Sequence, residues 1–156
     1  MREPETLAAQ LVELAPDGLI FADSGGVIRE WNAAATRIFG HTRAEAVGQS
    51  LDLIVPERFR EAHWKGYDAA LAAARAKSAG QPLTTRSARK DGTAIYVELS
   101  FVIVTDAGGA AIGALAQARD ITERFARERE ERTRVRALEE QVAALGGATP
   151  PPAAGG

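Results

Sequence analysis

The chain has 156 residues, no cysteine, 46% hydrophobic residues and a net charge of −2 from 19 basic and 21 acidic groups. One soluble globular domain is expected. Disulfide scaffolds, cysteine-ligated metals, thiol catalysis and cysteinyl-flavin photochemistry are excluded, and the near-neutral balance argues against direct nucleic-acid binding.

No apolar run reaches the roughly 18 residues that cross a bilayer, and Met1-Arg2-Glu3-Pro4-Glu5 lacks the basic-then-apolar order of a signal peptide. The expected location is the cytoplasm, with no membrane contact. Residues 1–16 place Leu7, Leu11 and Leu14 on one side of a short amphipathic helix from Glu5 to Leu14, closed by Pro16-Asp17-Gly18. Two strand-like runs, Leu19 to Asp23 and Val27 to Trp31, flank Ser24-Gly25-Gly26 and predict a hairpin. Asn32 can cap a helix through Phe39 that Gly40 ends in a left-handed conformation, and Thr42-Arg43-Ala44-Glu45 has capping-box spacing for a second short helix closed by Gly48.

Pro56 suits the first turn of a longer helix, Glu57 to about Lys77, whose inward stripe is Phe59, His63, Gly66 or Tyr67, Ala70 and Ala74. Leu83 to Arg89 reads as a strand, Lys90-Asp91-Gly92-Thr93 as a hairpin turn, and Ala94 to Thr105 as a strand with one buried face (Ile95, Val97, Leu99, Phe101, Ile103). Asp106-Ala107-Gly108-Gly109 turns the chain into a last strand, Ile112 to Arg119.

From Glu123 to Gln141 there are six arginines and six glutamates, with i, i+4 pairs Glu123–Arg127, Glu128–Arg132 and Glu130–Arg134 that support an exposed helix over 123–145. Val135, Leu138, Val142 and Leu145 step by 3, 4 and 3, the spacing of a coiled-coil seam. Residues 146–156, rich in glycine, proline and alanine, bury nothing and are expected to be a disordered tail.

The element order and a set of local strings resemble a PAS domain with a trailing signalling helix. The strings are Asp17-Gly18-Leu19-Ile20, Val27 through Ala35, Phe39-Gly40-His41-Thr42, Gly48-Gln49-Ser50, Ile54-Val55-Pro56, Arg89-Lys90-Asp91-Gly92-Thr93 and Arg119-Asp120-Ile121-Thr122-Glu123-Arg124. They run in family order from about Leu7 to Phe125. The resemblance implies an α+β fold, a five-stranded antiparallel sheet with flanking helices enclosing a pocket, for residues 17–122. It also implies a sensory or dimerising module rather than an enzyme, and a homodimer serving a histidine kinase, response regulator or transcription factor. At the strand-to-helix junction, Asp120 or Thr122 can satisfy free amides of the first turn, and Glu123 places negative charge near the positive helix end. These three are the expected signal relay; the alternative is simply a well-capped helix start.

The setting of His63, from Ile54 through Ala62 and then Lys90 to Thr93, also resembles the haem PAS domains of rhizobial oxygen-sensing histidine kinases, in which a histidine on this helix is the proximal haem ligand. That likeness implies b-type haem on His63, with Val97, Leu99 and Phe101 as an apolar distal wall. Leu83 stands where the family's oxygen-sensing arginine is expected, so Arg86 or Gln117 would have to supply the missing donor, and Arg75 and Lys77 are near enough to meet propionates. The alternative for His63 is a half-buried ring hydrogen-bonded to backbone or to Tyr67, with no cofactor. Trp64 and Tyr67 could instead stack on a flavin, although aromatics at helical spacing are commonly core. His41, after Gly40, is expected on an exposed loop, and no catalytic constellation is defensible from residue order.

Overall fold

A computed structural model describes residues 6–74 and 81–146. The expected tail from residue 147 onward, Glu5, Arg75 and Lys77 lie outside the described residues. The element order is α1 (Leu7–Leu14), β1 (Gly18–Asp23), β2 (Ile28–Trp31), α2 (Ala33–Phe39), α3 (Arg43–Ala46), a 3-10 turn (Leu51–Leu53), α4 (Glu57–Ala72), β3 (Leu83–Ala88), β4 (Ala94–Thr105), β5 (Ala111–Asp120) and α5 (Thr122–Gly146). The five strands form one sheet in the order β2-β1-β5-β4-β3, antiparallel at every pairing. Two compact units divide between Ile121 and Thr122.

Local chemistry accounts for the short elements. The Thr6 hydroxyl accepts from the Ala9 amide at 3.2 Å to start α1. Asn32 caps α2, and Gly40 ends it at φ 83° in the left-handed region that glycine enters without a Cβ penalty. Thr42 and Glu45 complete the capping box of α3. Asn32, only 1% exposed, does more than cap. Its Oδ1 accepts from the amides of Leu19 (2.9 Å) and Ala35 (3.0 Å), and its Nδ2 donates to the carbonyls of Val12 (2.8 Å) and Asp17 (3.0 Å). One buried amide side chain thus joins the ends of α1, β1 and α2 with its polar atoms satisfied.

The closed core is built from Ile20, Ile28, Trp31, Phe39, Ile95 and Val97, each at most 1% exposed. Trp31 anchors it, packing on Phe39 at 5.6 Å between ring centroids while its indole N–H donates to the Thr36 hydroxyl and the His41 carbonyl. On the far side of the sheet, Asp17 accepts from Gln117 and Arg119 of β5, locking the start of β1 to its neighbour.

The long helix α4 stops at Ala72 rather than near Lys77. Ala73 closes it, and Ala74 takes a positive φ of 50°, which breaks the helical repeat. Alanine favours helix locally, so composition alone carried the expected end too far. In the second unit α5 is continuous from Thr122 to Gly146, with Val135, Leu138, Val142 and Leu145 between 44% and 78% exposed.

Candidate functional site

Between α4 and the sheet lies a cavity of about 490 Å³, within the size range of small-molecule sites. The helix presents Phe59, Ala62, His63, Gly66, Tyr67 and Ala70; opposite stand Leu99, Phe101 and Ile103 of β4 with Ala114 and Ala116 of β5. Strand alternation explains this wall. Residues 95, 97, 99, 101 and 103 share one face of β4, and the register sets Leu99 beside Ala118 and Phe101 beside Ala116. The two smallest side chains of that layer, Ala114 and Ala116, leave the space that larger ones would fill.

Of the expected site residues, His63, Tyr67, Leu83, Leu99 and Phe101 all line the cavity. Val97 does not: it is wholly buried, in the same core cluster as Ile95, Ile20 and Phe39. Leu83, 47% exposed, borders the cavity from the edge strand β3, directly opposite Leu99 in the ladder.

The two residues expected to replace a donor at Leu83 are turned elsewhere. Gln117 lies on the other face of β5, where its Nε2 donates to Asp17 at 2.8 Å. Arg86 touches the rim, but its guanidinium lies 5.7 Å from the centroid of Tyr96, its cross-strand partner. Ser87, the inward neighbour of Arg86, is spent on the Ile54 carbonyl at 2.6 Å.

His63 sits edge-on to Trp64, with ring centroids 4.9 Å apart, and 6.0 Å from Tyr67. Its Nδ1 is buried and has no hydrogen-bond partner, so the hydrogen bond to backbone or Tyr67 entertained for it is not formed at that atom. Burial pushes the imidazole below its ordinary pKa, and the Asp52 carboxylate only partly opposes this. The ring is therefore neutral at pH 7. Tyr67 turns its hydroxyl to the carbonyls of Ala22 and Asp23 on β1, and burial first, then the Asp23 charge, pushes its pKa up to about 12. That hydroxyl ties α4 to the end of β1 across the cavity.

Trp64 points away from the cavity. Its indole N–H donates to Asp52 at 2.8 Å, and its ring lies on Gly26, where any Cβ would stand 2.2 Å from ring carbons. The Asp52–Trp64 bond, which no spacing rule announces, ties α4 to the Leu51–Leu53 turn, while the ring packs on the β1–β2 turn at Gly26. His41 is not an exposed loop residue: its side chain is 12% exposed, edge-on to Trp31 and 3.8 Å from Glu45. It is not among the residues lining the cavity.

At the relay positions, Asp120 ends β5 and accepts from the Arg89 guanidinium at 2.7 Å. The Ile121 amide donates to the Tyr96 carbonyl at 2.9 Å, Thr122 opens α5, and Glu123 lies in its first turn. No local pattern in the sequence marks Arg89 as a link between elements. Its Nε also donates to the Ile38 carbonyl at 3.1 Å, so one side chain joins the end of α2 to the end of β5.

The PAS fold family matches residues 7–121. The chain is 35% identical over 63 residues to the sensor protein FixL of Bradyrhizobium diazoefficiens, a match covering 40% of this chain and 12% of that protein. It is 31% identical over 122 residues to an uncharacterized protein of Azorhizobium caulinodans, covering 78% of this chain and 16% of that one. The chain thus corresponds to a small part of each relative. Among solved structures, the PAS domain of a Colwellia psychrerythraea protein superposes with a TM-score of 0.65 at 22% identity, over 74% of this chain and 95% of that one. A sensory box histidine kinase/response regulator from Burkholderia thailandensis gives 0.61 at 15% identity, over 86% and 99%. No described helix is long and apolar enough to cross a membrane. The strand order, the cavity under α4 and the match over residues 7–121 together establish that the chain belongs to the PAS family of sensory signalling modules.

Proposed function

We propose that this PAS module senses through a b-type haem held in the α4 cavity by His63, and that α5 carries the response to an output partner. The carrying observation is a neutral imidazole with an unpaired buried nitrogen on the wall of a largely apolar cavity of about 490 Å³. An unpaired buried polar atom costs about 1–3 kcal/mol, which an occupant engaging the ring would offset. Among the described residues no three His, Cys, Asp or Glu side chains gather as a metal cage. One histidine suits an iron whose other ligands arrive in a macrocycle better than a bare ion, which needs three or four protein ligands. Local likeness to FixL supports the same choice.

Haem would supply an iron that responds to a diatomic gas or to redox state. The chain's own residues would do the rest. His63 would offer a ring nitrogen to the iron, Leu99, Phe101 and Ile103 would keep water from the sheet wall, and Tyr67 fixes α4 against β1. The chain passes from β5 to α5 through Ile121 alone, so Asp120, Thr122 and Glu123 are the proposed exit. In this reading the module is a homodimer without catalysis of its own, serving a histidine kinase, response regulator or transcription factor. Relatives named as a sensor protein and a histidine kinase support that assignment.

A second reading, a ligand-free dimerisation module, is favoured by the exposed leucines of α1, Leu7, Leu11 and Leu14, at 63–80%. Absorbance separates the two. Haemin titrated into the purified chain should give a Soret band that His63→Ala abolishes and His41→Ala retains. Equal haemin binding by the His63→Ala protein would overturn the site, and no band in the wild type would favour the second reading.

A further inference from the structure

We propose that Gly66 sets the size limit of the α4 cavity, keeping open a slot for a flat, rigid, mostly apolar ring system that lies across the helix beside His63. The inference rests on the reading of this cavity as a ligand site. It assigns to one residue the selection of what fits.

Gly66 lines the cavity one turn beyond His63 and one turn before Ala70, and it is itself exposed, so it stands where the cavity meets solvent. Two structural reasons for a glycine are missing there. Its φ is not in the left-handed region, where Gly26, Gly40, Gly48, Gly92 and Gly109 are found. Nor does a neighbouring group press on it: a Cβ built at Gly66 would meet no atom within 4 Å, whereas one at Gly26 would collide with Trp64. Glycine in a helix interior lowers stability relative to alanine, so the position forgoes stability that the backbone would accept.

What the missing side chain leaves is room. The sheet contributes small side chains to the same cavity, Ala114 and Ala116. The larger Phe59 of the helix and Phe101 of the sheet line the same cavity. The Tyr67 hydroxyl, bonded to the Ala22 and Asp23 carbonyls, holds the next residue of α4 at a fixed distance from β1 and so opposes collapse of the helix onto the sheet. A cavity of about 490 Å³ with small side chains on both helix and sheet, and a helix held off β1 by Tyr67, suits a thin ring system better than a bulky branched ligand. The unpaired imidazole beside it gives such a ring one polar or coordinating contact.

The test uses the 156-residue chain with haemin and with 1-aminoanthracene, a flat apolar fluorophore without metal. Gly66→Ala should raise the melting temperature of the ligand-free protein by about 2–4 °C and weaken both probes several-fold. Gly66→Leu, whose branched side chain fills the slot, should weaken both by more than about tenfold while circular dichroism stays that of the wild type. Should Gly66→Leu fail to fold, Gly66→Ala alone decides, and unchanged affinity for both probes overturns the inference. Wild-type binding of haemin that Gly66→Leu leaves intact overturns the inference but not the haem reading. Binding of 1-aminoanthracene that Gly66→Leu removes, with no haemin binding, sinks the haem reading and supports the inference. A wild type that binds neither probe overturns both.

Discussion

The Arg89 guanidinium donates to Asp120 at 2.7 Å while its Nε donates to the Ile38 carbonyl at 3.1 Å, so one side chain spans the last turn of α2 and the last residue of β5. Phe39, next to Ile38, forms part of the cavity lining, and its carbonyl accepts from the Lys90 amide at 2.9 Å. The β3–β4 turn is thereby stapled to both the cavity wall and the strand that leads into α5. Arg89→Met should lower stability by about 1–2 kcal/mol, since it leaves a carbonyl and a part-buried carboxylate short of a donor. Arg89→Lys should recover little, because an ammonium cannot serve both acceptors in the same fork. Urea unfolding of Arg89→Met, of Asp120→Asn and of the double variant measures the coupling. Additive losses would show that the pair contributes nothing jointly.

Asn32 is expected to be the most sensitive polar position. Asn32→Ala removes the cap of α2 and strips donors from the Val12 and Asp17 carbonyls, at a cost of about 2–4 kcal/mol. Asn32→Asp keeps the acceptor oxygen but sets a second oxygen against those carbonyls and buries a charge, so it should be no milder. Denaturant midpoints decide this. A loss under 1 kcal/mol for both variants would mean that the junction of α1, β1 and α2 does not depend on the amide.

Much of this was legible in the sequence where the cause is local. Asn32, Gly40 and the Thr42–Glu45 box announce helix ends by chemistry within four residues, and the alternation from Ile95 to Ile103 gives β4 its inward face without knowledge of its partners. The illegible part depends on partners far along the chain. Nothing near Gln117 says that Asp17, a hundred residues earlier, will claim its amide, and nothing near Trp64 points to Asp52 and Gly26. Val97 and Leu99 look alike in the pattern, yet one lies in the closed core and the other at the cavity, a difference set by what packs over the strand and not by the strand itself. His41 follows a glycine like a loop residue but is drawn under Trp31 by the turn that Gly40 makes.

Two titrations should shape stability against pH, and their signs can be worked out separately. Hydrogen bonds from Arg119, aided by Gln117, hold the Asp17 carboxyl below its ordinary value. A lowered carboxylate contributes stability that is complete above about pH 4 and is lost as pH falls through the folded value. Asp17→Asn should therefore flatten the acid limb of the melting curve. His63 is also lowered, by burial. For a base the consequence is that the unfolded chain takes up the proton first below about pH 6.5, so the fold weakens as pH drops from there to the folded value. His63→Leu should shrink that slope between about pH 7 and 5, and melting temperatures at closely spaced pH values would show it. A slope unchanged by His63→Leu would mean that this imidazole is not desolvated in solution.

The exposed apolar positions of α5 lead to the last prediction. Glu and Arg cover most of the helix, yet Leu138 and Val142 stand 53% and 68% exposed in a single chain, at the spacing of a seam. If two copies pair along it, each leucine is removed from water, and Leu138→Asp places a charge in a dry contact. The variant should sediment as a monomer at micromolar concentration where the wild type sediments as a dimer, with the melting of residues 7–121 little changed because the substitution lies in the other unit. Leu138→Ile, which keeps the apolar surface, should remain dimeric. A wild type that is monomeric throughout this range removes the homodimer from the proposed function, and a dimer that survives Leu138→Asp moves the contact to the leucines of α1.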